Sequence, residues 1–129
     1  MKPSKGAFTL IELMVVLVIV SVVATFAIPN YTKSVERSHR KDAESNLMVI
    51  HAAQQMYAAR NDNAYWGTGN LVAINSNLGI NVLANGMTYA CAAPGVSPPT
   101  FSCSAMRSGW TLTITSASTT PACTAGTCP

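Results

Sequence analysis

Few residues of this 129-residue chain are of types that perform chemistry, and their spacing does not form a catalytic site. The scattered serines lack a base and an orienting group, and the sequence has no glycine-rich phosphate loop. His39 and His51 lie far in sequence from the four cysteines, which lack the C-x-x-C spacing typical of zinc sites. The sequence therefore predicts no enzyme activity, no metal site and no cofactor, and both histidines are interpreted as helix-surface residues.

The cysteines indicate disulfides instead. All four lie after residue 90, and their even number suits a small region stapled by disulfides outside the cytosol. We favour Cys91 with Cys103, across a predicted hairpin, and Cys123 with Cys128, which closes the C-terminal segment into a small loop. Crossed pairing remains the alternative, because sequence alone does not fix connectivity.

A single carboxylate lies inside a long apolar stretch. Residues 8–28, here called the apolar tract, would span roughly 32 Å as a helix, close to the ~30 Å hydrocarbon thickness of a bilayer. Glu12 is the one ionisable residue of the tract, and on translocon scales a carboxylate at the helix centre costs about 2.5–3.5 kcal/mol. Thr9-x-x-Glu12 fits a capping box, and a cation on a neighbouring chain is the other candidate partner.

The tract is preceded by a short basic segment, residues 1–7, which contains Lys2 and Lys5. The apolar run is too long for a cleaved secretory signal peptide, and no A-x-A-like site follows it. Taken alone, these features predict an uncleaved membrane anchor whose lysines stay on the cytoplasmic side.

The string KGAFTLIEL at residues 5–13, followed by a Val/Ile run and the string IPNY at residues 28–31, closely resembles the N-terminus of type IV pilins and related pseudopilins, and is most like a type IVa pilin. The resemblance extends to about residue 55. It implies that residues 1–7 are a leader, that a prepilin peptidase cuts between Ala7 and Phe8, and that Phe8 is N-methylated. The family usually has glycine directly before the phenylalanine, whereas here Gly6 lies one position earlier.

The same resemblance implies a function and its partners. Glu12 would pair with the new α-amino group of Phe8 on a neighbouring subunit, and the N-terminal helices would polymerise into a helical filament. Implied partners are other pilin copies, the prepilin peptidase, and an inner-membrane assembly platform with its ATPase. The subunit would be stored in the inner membrane and then join an extracellular type IV pilus that supports adhesion, twitching motility or DNA uptake.

Two alternatives remain open at this point: a pseudopilin of a type II secretion system, and a signal-anchored periplasmic binding module that does not polymerise. Nucleic acid is not indicated as a partner. The net charge of +3 includes Lys2 and Lys5, so a product cut after Ala7 would carry only about +1.

The fold class predicted from the patterning is α+β, with a long N-terminal helix packed on a small antiparallel sheet. Residues 29–60 form the amphipathic half of the helix, and Pro29 predicts a kink or a locally unwound stretch just before it. The helical stripe expected to face the core consists of Ala43, Leu47, Ile50, Ala53 and Tyr57. Charged residues crowd the turns before this stripe, either as a solvated face or as a contact between subunits.

Residues 61–86 are interpreted as an irregular connecting region with one short helical turn. Residues 87–129 are expected to contain three antiparallel strands and the disulfide-bounded C-terminal segment. The predicted registers place Cys91 opposite Cys103, and a Ser108-Gly109 turn pairs Arg107 with Trp110 and Ala105 with Leu112.

Overall fold

The computed structural model describes residues 8–93 and 98–129. Its elements in chain order are α1 (Leu10–Arg60), β1 (Gly69–Asn70), α2 (Leu71–Leu78), β2 (Thr88–Ala92), β3 (Ser102–Arg107), β4 (Trp110–Thr115) and β5 (Ala122–Gly126). The α+β class, with a long N-terminal helix and an antiparallel sheet, is confirmed. The chain divides into an N-terminal unit that ends at Glu36 and a second unit, here called the head, from Arg37 to Pro129.

In the N-terminal unit, helix α1 is long and apolar enough to cross a membrane, and its large apolar side chains are each at least half exposed. Helical structure runs unbroken through Pro29, so the unwound alternative is not present, and a kink remains a prediction. Polar side chains in this region bond to the helix itself. Thr25 Oγ1 donates to the Ser21 carbonyl at 2.9 Å, and Asn30 Nδ2 donates to the Phe26 carbonyl at 3.2 Å.

In the head, the second half of α1 packs its predicted stripe into the core. Ala43, Leu47 and Ile50 are fully buried, and Ala53 is nearly so. Tyr57, the last predicted position, is only partly buried, and Gln54 takes a fully buried place instead. The reason is that Gln54 finds two backbone partners in the loop that follows the helix.

The five strands form one antiparallel sheet in the order β1-β2-β3-β4-β5. Both predicted registers are confirmed, because Cys91 lies opposite Cys103 and Arg107 opposite Trp110. Alternation then directs one face of the sheet into the core. The buried strand residues are Tyr89, Cys91, Cys103, Ala105, Trp110, Leu112 and Ile114, with Phe101 directly before β3.

The prediction for residues 61–86 was wrong in one respect, since this region contains the eight-residue helix α2 and the short strand β1. Caps at both ends stabilise α2. The Asn70 side chain accepts from the Ala73 amide at 3.2 Å, and Gly79 adopts the left-handed conformation (φ 66°) that ends a helix without a Cβ penalty.

The disulfide between Cys123 and Cys128 closes the C-terminal segment as predicted, but the segment also contains a strand that was not predicted. Five of its residues, Ala122–Gly126, form the edge strand β5, which pairs with β4 around an irregularity between Thr111 and Leu112. A hydroxyl pair reinforces this pairing, with Thr113 Oγ1 and Thr124 Oγ1 2.8 Å apart. From Cys123 onward, the strand lies within the loop that the disulfide between Cys123 and Cys128 closes.

Candidate assembly site and the surface of the head

The carboxylate of Glu12 is bonded at the start of helix α1. Its Oε2 accepts from the Thr9 amide at 2.8 Å and from Thr9 Oγ1 at 2.7 Å, while the Glu12 amide donates to Thr9 Oγ1 at 3.3 Å. This is the reciprocal geometry of a capping box, and it satisfies donors that a helix N-terminus otherwise leaves without partners. The local role considered for Glu12 is therefore present.

The capping box leaves hydrogen-bond acceptor positions of the Glu12 carboxylate unused. Among the described residues, its bonds all involve Oε2, and an ionised carboxylate has two oxygens with about four acceptor positions. Phe8, beside this site, is largely exposed. The arrangement can accept a further hydrogen bond from a cation. Gly6 and Ala7, the predicted cleavage positions, lie outside the described residues.

The four cysteines form two disulfides with the connectivity that the sequence favoured. The bond between Cys91 and Cys103, here called the core disulfide, lies between β2 and β3 with both residues buried. The bond between Cys123 and Cys128, the tail disulfide, joins an exposed residue of β5 to a partly buried one. No free cysteine and no cluster of potential metal ligands occurs among the described residues.

Three cations of α1 form what we call the cationic cluster: Arg37, Arg40 and Lys41. With Glu44 and Pro129 they line a pocket of about 290 Å³. Arg40 is held on two sides, since its Nε donates to Glu44 at 2.9 Å and its Nη1 donates to the Pro129 carbonyl at 2.8 Å. Arg40 therefore ties the backbone of Pro129 to the helix, while Arg37 and Lys41 are exposed beside it.

Comparison with known proteins identifies the chain from both of its parts. Residues 2–28 match the prokaryotic N-terminal methylation motif, and residues 29–127 match the family described as type IV minor pilin ComP, DNA uptake sequence receptor. The chain belongs to this type IV pilin family.

The curated relatives include a type IV major pilin and core proteins of type II secretion systems. The type IV major pilin protein PilA of Myxococcus xanthus is 40% identical over 60 residues, which is 46% of this chain and 27% of that protein. The type II secretion system core protein G of Escherichia coli K12 is 36% identical over 63 residues, 49% of this chain and 42% of that protein. The chain thus covers less than half the length of these relatives. No solved structure gives a significant match.

Sequence reasoning missed the contact that fixes the loop after α1 of this pilin. The fully buried Gln54 accepts from the Trp66 amide at 2.9 Å and donates to the Trp66 carbonyl at 3.3 Å. The side-chain amide thus bonds one residue's backbone as a neighbouring strand would. Tyr65 then packs edge-on against Phe101 with ring centroids 4.7 Å apart. In the sequence, the one signal of this contact was Gln54 itself, a polar residue among the apolar positions of the helix.

The histidines of the pilin head, which were predicted to be helix-surface residues, are only partly exposed. Both are half-buried, and His51 packs its ring against Phe101 with centroids 5.4 Å apart. One ring nitrogen of each, Nδ1 of His39 and Nε2 of His51, is buried with no hydrogen-bond partner among the described residues. The ring of His51 therefore contributes to the packing around Phe101.

Proposed function

We propose that this pilin is a minor subunit of a type IV pilus and that its head binds double-stranded DNA. The observation that carries the proposal is the match of residues 29–127 to a family described as a DNA uptake sequence receptor. The match covers nearly the whole head and not only the N-terminal motif. In this proposal the protein is not an enzyme; it is itself the substrate of a peptidase.

The proposed route to the filament begins with cleavage before Phe8 and N-methylation of its new amine, both in the inner membrane. The match of residues 2–28 to the methylation motif supports this step. The platform and its ATPase then extract the subunit, and Glu12 pairs with the α-amino group of a neighbouring Phe8. The remaining acceptor capacity of the Glu12 carboxylate supports this pairing.

Intact mass and N-terminal sequencing of the protein from its native host test this route. An N-methylated Phe8 at the N-terminus is the expected result. A chain that still begins at Met1 would instead indicate a static anchor and would remove the basis for the proposed pairing.

The charge distribution constrains how the head would hold DNA. Its cations are Arg37, Arg40, Lys41, Arg60 and Arg107, against the acids Asp42, Glu44 and Asp62. After Asp62 the only charged side chain is Arg107, so the sheet supplies almost no phosphate neutralisation. The cationic cluster is the densest group of positive charge. Affinity beyond it must come from hydroxyl, amide and backbone contacts, which also bond phosphates and bases.

This distribution gives the DNA experiment a quantitative expectation. If the two exposed cations of the cluster, Arg37 and Lys41, each neutralise one phosphate, log K should fall with log[salt] with a slope of about −1.8, and removing both should abolish that contribution. The assay is fluorescence anisotropy of the full chain in detergent with labelled duplex fragments of the host genome, over a range of KCl concentrations.

The test variant is Arg37→Gln with Lys41→Gln, two exposed cations of the cluster. The control is Arg60→Gln, which removes a positive charge from the other end of the same helical segment. Equal effects per charge at both places would mean that net charge matters and the cluster does not. No binding by the unaltered chain at low salt would reject the DNA proposal and leave the pilus role intact.

A second candidate is a pseudopilin of a type II secretion system, favoured by the 36% identity to core protein G. Deletion in the native host separates the two candidates. Loss of protein secretion with normal surface pili supports the pseudopilin, whereas loss of DNA uptake with normal secretion supports the minor pilin.

A further inference from the structure

The two disulfides of the head differ in their access to solvent. Cys123 of the tail disulfide is exposed and Cys128 is partly buried, whereas the two cysteines of the core disulfide are only 3% and 1% exposed. Thiol–disulfide exchange begins when a thiolate reaches a disulfide sulfur, so its rate depends on access. A dithiol can therefore reach the tail disulfide of the folded head, whereas the core disulfide becomes reachable only when the head opens locally.

The tail disulfide holds residues 127–129, here called the 127–129 segment, against the head. The segment follows β5, which ends at Gly126 with a φ of 74°, and it belongs to no helix or strand. Cys128 is held by the tail disulfide and packs against the core. The Pro129 carbonyl accepts from Arg40 Nη1 at 2.8 Å. The disulfide is thus the covalent anchor of a segment that ends on the cationic cluster.

The contact with Pro129 engages the central cation of the cluster. Arg40 Nε donates to Glu44 at 2.9 Å, so two nitrogens of the guanidinium already have acceptors. Arg40 is only partly exposed, whereas Arg37 and Lys41 are exposed. Arginine binds phosphate best through two parallel N–H donors, and each donor that is already engaged reduces the ways in which it can do so. Arg40 is therefore the cation of the cluster that is least available to an anion.

We infer that the tail disulfide keeps Arg40 engaged, and that reduction of this disulfide by a dithiol exposes Arg40 as a third phosphate-binding cation. This inference rests on the proposed DNA binding and adds a redox control to the same surface. A thiolate of the dithiol attacks Cys123 Sγ, the bond between the two cysteine sulfurs breaks, and Cys128 leaves as a thiolate that takes up a proton. The second thiol of the dithiol then attacks the mixed disulfide and releases Cys123 as a thiol. Two electrons and two protons thus pass to the protein, and the dithiol becomes a disulfide.

The expected change is local to the 127–129 segment. Strand β5 pairs with β4 as far as Gly126, and this pairing does not depend on the disulfide for its hydrogen bonds. After reduction, the bond between Arg40 and Pro129 must order a segment that has lost its covalent anchor, which costs conformational entropy. The remaining pair with Glu44 is partly exposed and lies on the same helix, so it restrains Arg40 only weakly.

The first test uses the full chain in detergent and needs no DNA. The protein is treated with dithiothreitol, alkylated with iodoacetamide and mapped by mass spectrometry. Cys123 and Cys128 should be alkylated at least about tenfold faster than the core cysteines, whose continued protection shows that the head stays folded. Phenylglyoxal, which reacts with guanidinium groups, should then modify Arg40 at least about threefold faster in the reduced form, because one hydrogen bond is lost. The exposed Arg37 and Arg60 are internal controls whose modification should not change.

The second test measures DNA binding of the same two forms over a range of KCl concentrations. The slope of log K against log[salt] should change from about −1.8 in the oxidised chain to about −2.7 in the reduced chain. Arg40→Gln should keep the slope of the oxidised chain in both forms, whereas Arg60→Gln should keep the redox response. The variant with both Cys123→Ser and Cys128→Ser should behave as the reduced chain without any reductant.

The two tests separate the inference from the proposed function. Unchanged modification of Arg40 after the tail disulfide has been reduced would overturn the inference, and so would a DNA salt slope that is the same in both forms. Faster modification of Arg40 with no DNA binding by either form would reject the proposed function, while the control of Arg40 by the disulfide would stand.

Discussion

Replacement of Gln54 by leucine should destabilise the head, because the side chain of Gln54 satisfies both backbone polar groups of Trp66. Leucine has a similar volume, so the cavity contribution is small and the loss comes from hydrogen bonding. A backbone group deprived of its partner costs about 1–3 kcal/mol, and because Trp66 is only half-buried the lower end applies. For two groups we expect a loss of about 2–3 kcal/mol in the free energy of unfolding.

The assay is urea unfolding of the full chain in detergent, followed by tryptophan fluorescence. Gln55→Leu is the control, since Gln55 is the next residue along the helix and is exposed; its effect should stay within about 0.5 kcal/mol. If Gln54→Leu also lost no more than about 0.5 kcal/mol, water would be replacing the amide, and the reasoning about the loop would be refuted.

Three further predictions concern assembly, the disulfides and pH. Glu12→Ala should still be processed but should enter sheared pili poorly, and a normal yield would remove the case for pairing. From the length of the loop that each disulfide closes, removing the core disulfide should lower the free energy of unfolding by about 3 kcal/mol and removing the tail disulfide by about 2 kcal/mol. The measurement is unfolding of the two double cysteine-to-alanine variants, and curves identical to that of the unaltered chain would contradict the prediction. Burial raises the pKa of Tyr89, a hydrogen bond from Asn46 lowers it, and the Asp42 carboxylate raises it. Because the folded-state pKa exceeds the unfolded value, the contribution of Tyr89 to the free energy of unfolding should be fully present below about pH 10 and should be lost as the pH rises above it. Unfolding of Tyr89→Phe measured over the same pH range should show a weaker dependence.

The sheet was predictable because its signals are local and mutually consistent. Alternating apolar residues define the core-facing side of β2, β3 and β4, and the Ser108-Gly109 turn fixes the register between the last two. Gly109 has the positive φ of 93° that such a turn requires. The pairing of Cys91 with Cys103 follows from the separate register between β2 and β3, since residues directly opposite on neighbouring strands lie within reach of a disulfide.

Other features depend on contacts that a local pattern does not contain. Asn70 and Asn75 are turn-forming residues by composition, yet Asn70 caps α2 and Asn75 bonds both backbone groups of Val82 seven residues later. Gln54 is a polar residue by type, and its burial depends on Trp66 twelve positions away.

The capping box at Glu12 has a consequence for the reversibility of the filament. Because Thr9 already supplies two donors to the carboxylate within one chain, a subunit that leaves its neighbours takes a partner for its negative charge with it. A single subunit in the membrane therefore has a smaller free-energy cost for its carboxylate than it would have if the carboxylate made no hydrogen bond. The difference in free energy between the single and the polymerised helix is smaller by the same amount. If the chain assembles as proposed, the capping box would therefore make it easier for a subunit to leave the filament and re-enter the membrane.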